Sequence, residues 1–195
     1  MRAAALLLLA ALAGCATIVP APPAATSPQL FFERLSALCG GAYVGRVVSA
    51  DPADREMAAS RLVVDVRECS ERELRMAFHV GSDRSRVWIV TRTPAGLRLK
   101  HIHRHQDGAE DARSRYGGDS AGPGGAARQD FPADAFSRDL FVRESIPESI
   151  TNVWSLELEP GRRLAYALRR PNRNFRVEFD LTRPVANPPA PWGER

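Results

Sequence analysis

Three histidines stand at alternate positions in the stretch LRLKHIHRHQDG, as His101, His103 and His105. Imidazole side chains can bind a divalent metal, exchange a proton near neutral pH, or line a polar wall. Alternate residues of a strand lie about 6.6 Å apart, so two neighbouring histidines can share one ion but all three hardly can. One hypothesis is therefore a divalent-metal site on His101 and His103, or on His103 and His105. Glu110 or Asp111 would complete it.

The neighbours of these histidines indicate which way they face. Leu97 and Leu99 fall on the same side of the predicted strand as the histidines, whereas Arg98 and Lys100 fall on the opposite side. A register shift of one residue would bury those charges, so the register is well specified. We therefore expect His101, His103 and His105 to line the inner face as ligand-binding residues, rising towards a rim near Asp107. A polar inner wall satisfied by water and neighbouring strands is the alternative.

A glycine-rich stretch, YGGDSAGPGG, contains the pattern Gly-x-Ser-x-Gly around Ser120. It resembles the GDSGGP stretch around the nucleophile of trypsin-like proteases, which would imply a histidine base backed by Asp107 or Asp111. The resemblance departs at Ala121, and Pro123 followed by two glycines does not begin the helix that a hydrolase elbow needs. We therefore expect a mobile loop and assign no catalytic residue. A serine hydrolase acting through Ser120 stays as a remote alternative.

The N-terminus reads MRAAALLLLAALAGCATIVP, an arginine followed by an apolar run too short to span a bilayer. The sequence Leu12-Ala13-Gly14-Cys15 resembles the lipobox of bacterial lipoproteins. That resemblance implies that residues 1–14 are a cleaved signal peptide and that Cys15 is acylated. Ala16, rather than aspartate, follows the cysteine, which in the enterobacterial pattern implies an outer-membrane lipid anchor facing the periplasm.

The composition divides the rest of the chain. Residues 15–28 are rich in proline and alanine and predict an extended tether, and residues 184–195 predict a loose proline-rich tail. Between them, residues 29–183 suit one domain. The two remaining cysteines, Cys39 and Cys69, would meet an oxidising compartment after export. We expect them to form a disulfide, with two separate buried thiols as the alternative.

Helix signals occur at two places. SPQLFFERLSALCGG has a possible N-cap at Ser27 and an apolar stripe of Phe31, Leu35 and Leu38. PADAFSRDLF is a possible second, short helix. The rest of the chain alternates with period two, which is typical of strands with one buried face. The expected strands lie near residues 42–49, 61–68, 73–80, 86–92, 97–105, 112–117, 126–131, 153–159, 162–169 and 174–181.

Short spacings leave no room for crossover helices, so eight to ten strands should form a mostly β, antiparallel meander. Such a meander can hide its edges by closing on itself. The pattern resembles the calycin-type, lipocalin-like barrels, although the Gly-x-Trp signature of many lipocalins is missing. It is also similar to secreted bacterial domains without an assigned activity. An open β-sandwich is the alternative fold.

The charge pattern argues against nucleic acid as a partner. The chain has 27 basic residues, of which only Lys100 is a lysine, against 23 acidic residues, for a net charge of +4. The arginines alternate with acidic or apolar residues instead of forming one basic stripe with aromatics. We therefore expect a membrane-anchored, non-enzymatic barrel that binds a small ligand or an envelope protein, with metal binding as the alternative.

Overall fold

The structure, a computed structural model, describes residues 25–122 and 124–194, so the expected signal peptide, Cys15 and most of the tether lie outside the described residues. Ten strands form one antiparallel sheet. They are β1 Ala42–Val47, β2 Leu62–Cys69, β3 Glu73–Val80, β4 Asp83–Thr93, β5 Gly96–His103, β6 Tyr116–Asp119, β7 Arg128–Pro132, β8 Val153–Glu159, β9 Arg163–Arg170 and β10 Arg173–Val185. Three α-helices accompany them: α1 Ser27–Ser36, α2 Arg55–Ala58 and α3 Ala135–Arg143.

The strand order is β6-β5-β4-β3-β2-β1-β10-β9-β8-β7, so strands adjacent in sequence are mostly adjacent in the sheet. The two end strands also meet. The N–H of Asp134 donates to the carbonyl of Gly117 over 2.9 Å, and the N–H of Ala121 donates to the carbonyl of Asp130 over 2.8 Å. The sheet is therefore a nearly closed barrel, consistent with the calycin-like architecture expected from the sequence.

Gly118 allows this seam to close, and its neighbour Gly117 allows β6 to lie close to β5. A Cβ atom on Gly118 would lie 1.8 Å from the carbonyl oxygen of Pro132, and one on Gly117 would lie 1.9 Å from that of Leu99. The sequence prediction of a mobile loop over YGGDSAGPGG is wrong at its start, because Tyr116–Asp119 is strand β6. Glycine is needed here because two backbones approach closely. A glycine-rich strand of this kind has the same composition as a glycine-rich loop, so the sequence alone does not distinguish them.

The alternating apolar residues face the barrel interior, as expected, and α1 plugs one end. Phe31, Phe32 and Leu35 of α1 are each at most 1% exposed and belong to the main core. The helix is preceded by Thr26, whose N–H donates to Oε1 of Gln29 over 2.7 Å, so the N-cap is Thr26 and not the predicted Ser27. The short predicted helix is α3.

A disulfide joins Cys39, just after α1, to Cys69 at the end of β2, with 6.2 Å between the Cα atoms. This confirms the predicted pairing. It closes a loop across a sequence separation of 30 residues. In the chain-entropy model such a bridge stabilises the fold by about 3.5 kcal/mol. Its structural effect is to hold the plug helix against the sheet.

The C-terminal segment is not loose. β10 continues to Val185, beyond the predicted domain boundary at residue 183. Asn187 then donates to Oδ1 of Asp65 over 2.7 Å, and the N–H of Trp192 donates to the carbonyl of Arg84 over 3.1 Å. The expectation of a free tail is therefore corrected. The proline-rich composition is explained by an extended segment that crosses the outer face of the barrel.

The outer face of β7 to β10 explains much of the arginine content. Glu157 binds both Arg128 and Arg176, and Glu178 binds both Arg176 and Arg163. These side chains alternate in charge along the strands and across them. The arginines therefore form an ion-pair network with acidic partners on the solvent side, as the sequence pattern indicated. Among the described residues, no helix is both long enough and apolar enough to cross a membrane.

Candidate functional site

His101 lies at the base of a pocket at the end of the barrel opposite α1. Its side chain is buried, with both ring nitrogens engaged: Nδ1 contacts the backbone carbonyl of Tyr116 at 3.2 Å and Nε2 contacts the hydroxyl of Tyr166 at 2.9 Å. A carbonyl can only accept, so Nδ1 carries the hydrogen and Nε2 accepts from Tyr166. Burial, with a smaller effect from His103, lowers the pKa of His101 to about 3. The ring is neutral at physiological pH.

His103 is the next residue on the same face, closer to the mouth, and it is partly buried. Its Nε2 lies 3.1 Å from the hydroxyl of Tyr116. Burial lowers the pKa of His103 to about 4, with Arg86 contributing, and raises the pKa of Tyr116 to about 12. Among the described residues, Nε2 of His103 is the one acceptor for the Tyr116 hydroxyl hydrogen. We therefore assign the His103 hydrogen to Nδ1, a donor without a partner in residues 25–122 and 124–194, on a side chain that lines the pocket.

His105 does not join the other two. Strand β5 ends at His103, and the N–H of His105 donates to the carbonyl of Ala109 in a turn that contains Gly108. The side chain is 60% exposed, and its Nε2 lies 3.5 Å from Oδ2 of Asp111. The expectation that three histidines line the inner face therefore holds for His101 and His103 only. Strand β5 ends two residues before His105, so the alternation of inward and outward side chains does not extend to it.

The predicted metal ligands are distributed over different places. Glu110 forms an ion pair with Arg115, and Asp111 lies beside His105. Neither approaches His101, whose two ring nitrogens have other partners. Within the described part of the chain, no group of three or more His, Cys, Asp and Glu side chains is arranged to hold a metal ion. The metal site on His101 and His103 stays a prediction, without a third ligand from these residues.

Ser120 lies at the other end of the barrel. Its Oγ accepts from the N–H of Leu97 over 3.1 Å, beside Gly96 at the start of β5. Six residues of strand separate Leu97 from His103, which corresponds to about 20 Å. In the described residues no histidine is within hydrogen-bond reach of Ser120, so the geometry supplies no general base to this hydroxyl.

The pocket around His101 and His103 has a volume of about 210 Å³ and an aromatic floor. The ring centroids of Trp88 and Tyr166 lie 4.3 Å apart, with an interplanar angle of 8°. The Phe78 ring also stacks on Trp88, with a centroid distance of 4.8 Å. We call this cavity the mouth pocket. The residues that line it are Ala53, Asp54, Met57, Phe78, Arg86, Trp88, His101, His103, Tyr116, Tyr166, Leu168, Arg173 and Phe175.

Arg86 brings a positive charge to the inner face of β4, where it pairs in register with His103 on β5. Its Nη1 is bound to Asp83, while Nε and Nη2 have no hydrogen-bond partner among the described residues. Sequence reasoning missed Arg86 because it took the arginines for solvated side chains. Its alternation with Trp88 and Val90, both inward-facing, is the signal that could have found it.

A short segment between β1 and β2 covers the mouth pocket. It comprises a 3₁₀ turn, Pro52–Asp54, followed by α2. Asp54 is only 3% exposed and binds Arg173 through both carboxylate oxygens, and the hydroxyl of Ser49 donates to it over 2.7 Å. Asp51 also binds Arg173, over 2.9 Å. These contacts raise the pKa of Arg173, chiefly through its hydrogen bond to Asp54. We call the ion pairs of Arg173 with Asp54 and Asp51 the latch. Sequence analysis gave no indication of these ion pairs.

The arrangement is suited to binding. His101 and His103 are neutral, so they act as fixed hydrogen-bond groups. Among the described residues, the donors without a partner are Nδ1–H of His103 and the free side of the Arg86 guanidinium, and both residues line the pocket together with the aromatic floor. A larger groove, of about 860 Å³, lies on the outer surface over β1 and β10, lined by oppositely charged side chains such as Arg163 and Glu178 that already pair. We favour the smaller pocket because it holds the unpartnered donors.

Comparisons with protein-family models, with curated proteins and with solved structures found no match for this chain.

Proposed function

We propose that the protein is a non-catalytic binding protein that holds a small ligand in the mouth pocket. The observation that carries this proposal is a pair of donors without a partner in the described residues, His103 Nδ1–H and the Nε and Nη2 side of the Arg86 guanidinium, in a pocket also lined by stacked Trp88 and Tyr166. Ligand pockets are typically apolar cavities with a few placed polar groups. The mouth pocket has that composition.

The size and polarity of the pocket define the ligand class. Its volume of about 210 Å³ is below the roughly 300–1,000 Å³ of pockets for drug-sized molecules. The ligand is therefore a small molecule, or one end of a longer one, that contacts the edges of the aromatic floor, because the faces of Trp88 are covered by Tyr166 and Phe78. Because the free groups are donors, it carries an acceptor such as a carbonyl or carboxylate oxygen.

Recognition rests on donor geometry rather than on net charge. Asp83 offsets Arg86, and Asp54 and Asp51 offset Arg173, so the pocket has no excess of positive charge. A carboxylate and a neutral amide of the same shape should therefore both bind. The carboxylate should bind more tightly, because charge-assisted hydrogen bonds are roughly twice as strong.

The test uses benzoate, benzamide and toluene as probes in ¹H–¹⁵N NMR titrations of the purified protein. We expect saturable shifts at His103, Arg86 and Trp88 with benzoate and benzamide, and weaker ones with toluene. Arg86→Leu and His103→Phe should each weaken benzoate binding about tenfold. Arg46→Leu, on the exposed outer face of β1, is the matched control. If none of the three probes shifts residues of the mouth pocket, the proposal fails.

We also propose that the protein is held at the outer membrane, facing the periplasm, by acyl chains on Cys15. The lipobox-like Leu12-Ala13-Gly14-Cys15 supports this, together with the tether after it. More than one acyl chain on the same residue would give stable anchoring. Globomycin, which blocks lipoprotein signal peptidase, should cause the unprocessed precursor to accumulate. Unchanged processing, or an unchanged membrane fraction in Cys15→Ser, would refute the anchor.

A further inference from the structure

The outer face of the barrel carries an occupied groove that is separate from the mouth pocket. The occupant is the C-terminal segment, residues 186–194, which we call the strap. The surface beneath it, the strap groove, includes Asp65, Ala77 and Val87, which are register neighbours on β2, β3 and β4. Val63 and His79 form the adjacent row. All five are at most 5% exposed, although their side chains point away from the barrel interior.

Side chains of the barrel hold the strap through two of its carbonyl groups and two of its side chains, one of them Asn187. Nη1 of Arg67 donates to the carbonyl of Pro188 over 3.3 Å, and Nη1 of Arg84 donates to the carbonyl of Ala190 over 3.1 Å. Arg75 binds the Glu194 carboxylate near the end of the strap. The contacts of Arg67 and Arg84 recognise an extended chain through its carbonyl groups, whereas that of Arg75 requires an acidic side chain.

The strap has the composition that suits such recognition. Its central sequence is Asn-Pro-Pro-Ala-Pro-Trp, from Asn187 to Trp192. Prolines have no N–H and favour the extended polyproline conformation, in which carbonyls stay free to accept. Binding of preformed proline-rich segments in grooves is a recurring mode of peptide recognition, because little conformational entropy is lost.

The strap leaves one polar atom of the strap groove without a hydrogen bond from the described residues. Nε2 of His79 is buried and has no hydrogen-bond partner in the part of the chain that the structure describes. The strap residues from Pro188 to Pro191 carry no polar side chain that could supply one. A buried polar group without a partner weakens an assembly. A segment that offers a hydroxyl at the right position would therefore fit this groove better than the strap does.

We propose that the strap groove is a recognition site for an extended proline-rich segment of a partner protein, and that the strap occupies it within the same chain until the partner displaces it. The strap follows β10, so its release leaves the hydrogen bonds between the strands intact. The partner segment shares the strap's chemistry: prolines that expose carbonyls to Arg67 and Arg84, and an acidic residue for Arg75.

The experiment measures binding of a fluorescein-labelled peptide, ANPPAPWGER, to the full-length chain by fluorescence anisotropy. The double variant Asn187→Ala/Trp192→Ala weakens the strap and should bind the peptide at least tenfold more tightly than the unaltered chain. Adding Arg84→Ala should remove most of that binding. A scrambled peptide is the control, and thermal unfolding checks that each variant is folded. Absence of saturable binding, or equal binding of the scrambled peptide, overturns the proposal.

A second series tests the role of His79. Peptides with serine in place of Pro188, Pro189 or Ala190 are compared on the strap-weakened chain with and without His79→Leu. We expect at least one serine peptide to bind more tightly when His79 is present, and its advantage to disappear in His79→Leu. If no serine peptide gains affinity, the argument that a partner outcompetes the strap through His79 is overturned.

Discussion

The hydroxyl of Tyr166 on β9 donates to Nε2 of His101 on β5 across 2.9 Å. β5 and β9 are not neighbours in the sheet, so this hydrogen bond crosses the barrel interior. Together with the contact of Nδ1 to the carbonyl of Tyr116, it fixes the orientation of a neutral imidazole at the base of the mouth pocket. One hydrogen bond between β5 and β9, on opposite sides of the barrel, thus fixes the side chains at the base of the mouth pocket.

Removal of this hydroxyl should destabilise the barrel. In Tyr166→Phe, Nε2 of His101 remains buried and loses its donor, which should lower the free energy of unfolding by about 1–3 kcal/mol. Urea denaturation followed by tryptophan fluorescence measures the change. Tyr43→Phe is the control, because among the described residues no hydrogen bond is formed by the Tyr43 hydroxyl. Equal stability of the two variants would contradict the role given to the Tyr166–His101 pair.

The buried histidines should make stability fall in mild acid. Their folded pKa values of about 3 for His101 and about 4 for His103 lie below the ordinary 6.5. The unfolded chain therefore binds more protons below pH 6.5, and each histidine should lower the free energy of unfolding by about 1.4 kcal/mol per pH unit. The loss begins as pH falls through 6.5 and stops near the folded pKa of each group.

The window from pH 6 to 5 separates the effect of the buried histidines from that of the carboxyl groups, and His79, whose pKa burial also lowers, contributes in the same direction. The carboxyl groups of Asp83, Asp130 and Asp134 have pKa values lowered below 3.8 by hydrogen bonds and nearby cations, against an opposing effect of burial, so the stability they contribute is lost only at lower pH. His103→Gln should flatten the slope of unfolding free energy against pH by about 1.4 kcal/mol per pH unit. The comparison variant is His105→Gln, which replaces an exposed ring outside the mouth pocket. The same slope in both variants would count against the neutral state assigned to His103.

The seam between β6 and β7 should not tolerate a side chain at Gly118. A Cβ there would lie 1.8 Å from the carbonyl oxygen of Pro132, so Gly118→Ala must separate the two strands. We expect a loss of at least 2 kcal/mol, or failure to fold. Gly125→Ala is the matched control, because the nearest atom would be 3.8 Å away. A melting temperature for Gly118→Ala within a degree of the control would show that the seam is not tightly closed.

A fourth variant tests the buried histidine under the strap. His79→Leu replaces an imidazole whose Nε2 is buried without a partner by an apolar side chain. Burial lowers the pKa of His79, in keeping with an apolar environment. Because no hydrogen bond of Nε2 is lost, we expect the free energy of unfolding at pH 7 to stay the same or to rise by up to about 1 kcal/mol. Large destabilisation would indicate that this nitrogen has a partner that stabilises the fold.

The strand pattern could be predicted from sequence because one rule governs nearly every strand: apolar residues alternate with charged ones. The same rule placed His101 and His103 inside, beside Leu97 and Leu99. It failed for His105, because strand length depends on where the chain turns, here through Gly108. The local amino-acid composition does not indicate at which residue the strand ends.

The remaining features depend on contacts between distant residues. Gly117 and Gly118 have the composition of a loop, yet both lie in strand β6, where β5 approaches Gly117 and the end of β7 approaches Gly118. Arg86 looks like a surface arginine until β4 places it over the pocket with His103 opposite. The latch between Asp54 and Arg173 joins residues 119 positions apart, and no spacing rule reaches that far.

Lys100 is the sole lysine of the chain, and its ammonium group binds the carboxylate of Asp134 over 2.5 Å. The backbone N–H of Asp134 is one of the groups that join β7 to β6, so the chain's single side-chain amine lies on the closure of the barrel. If the α-amino group of Cys15 is acylated as well, amine-reactive reagents have one target in the mature chain. The rate at which they modify it then reports how often the Lys100–Asp134 ion pair opens.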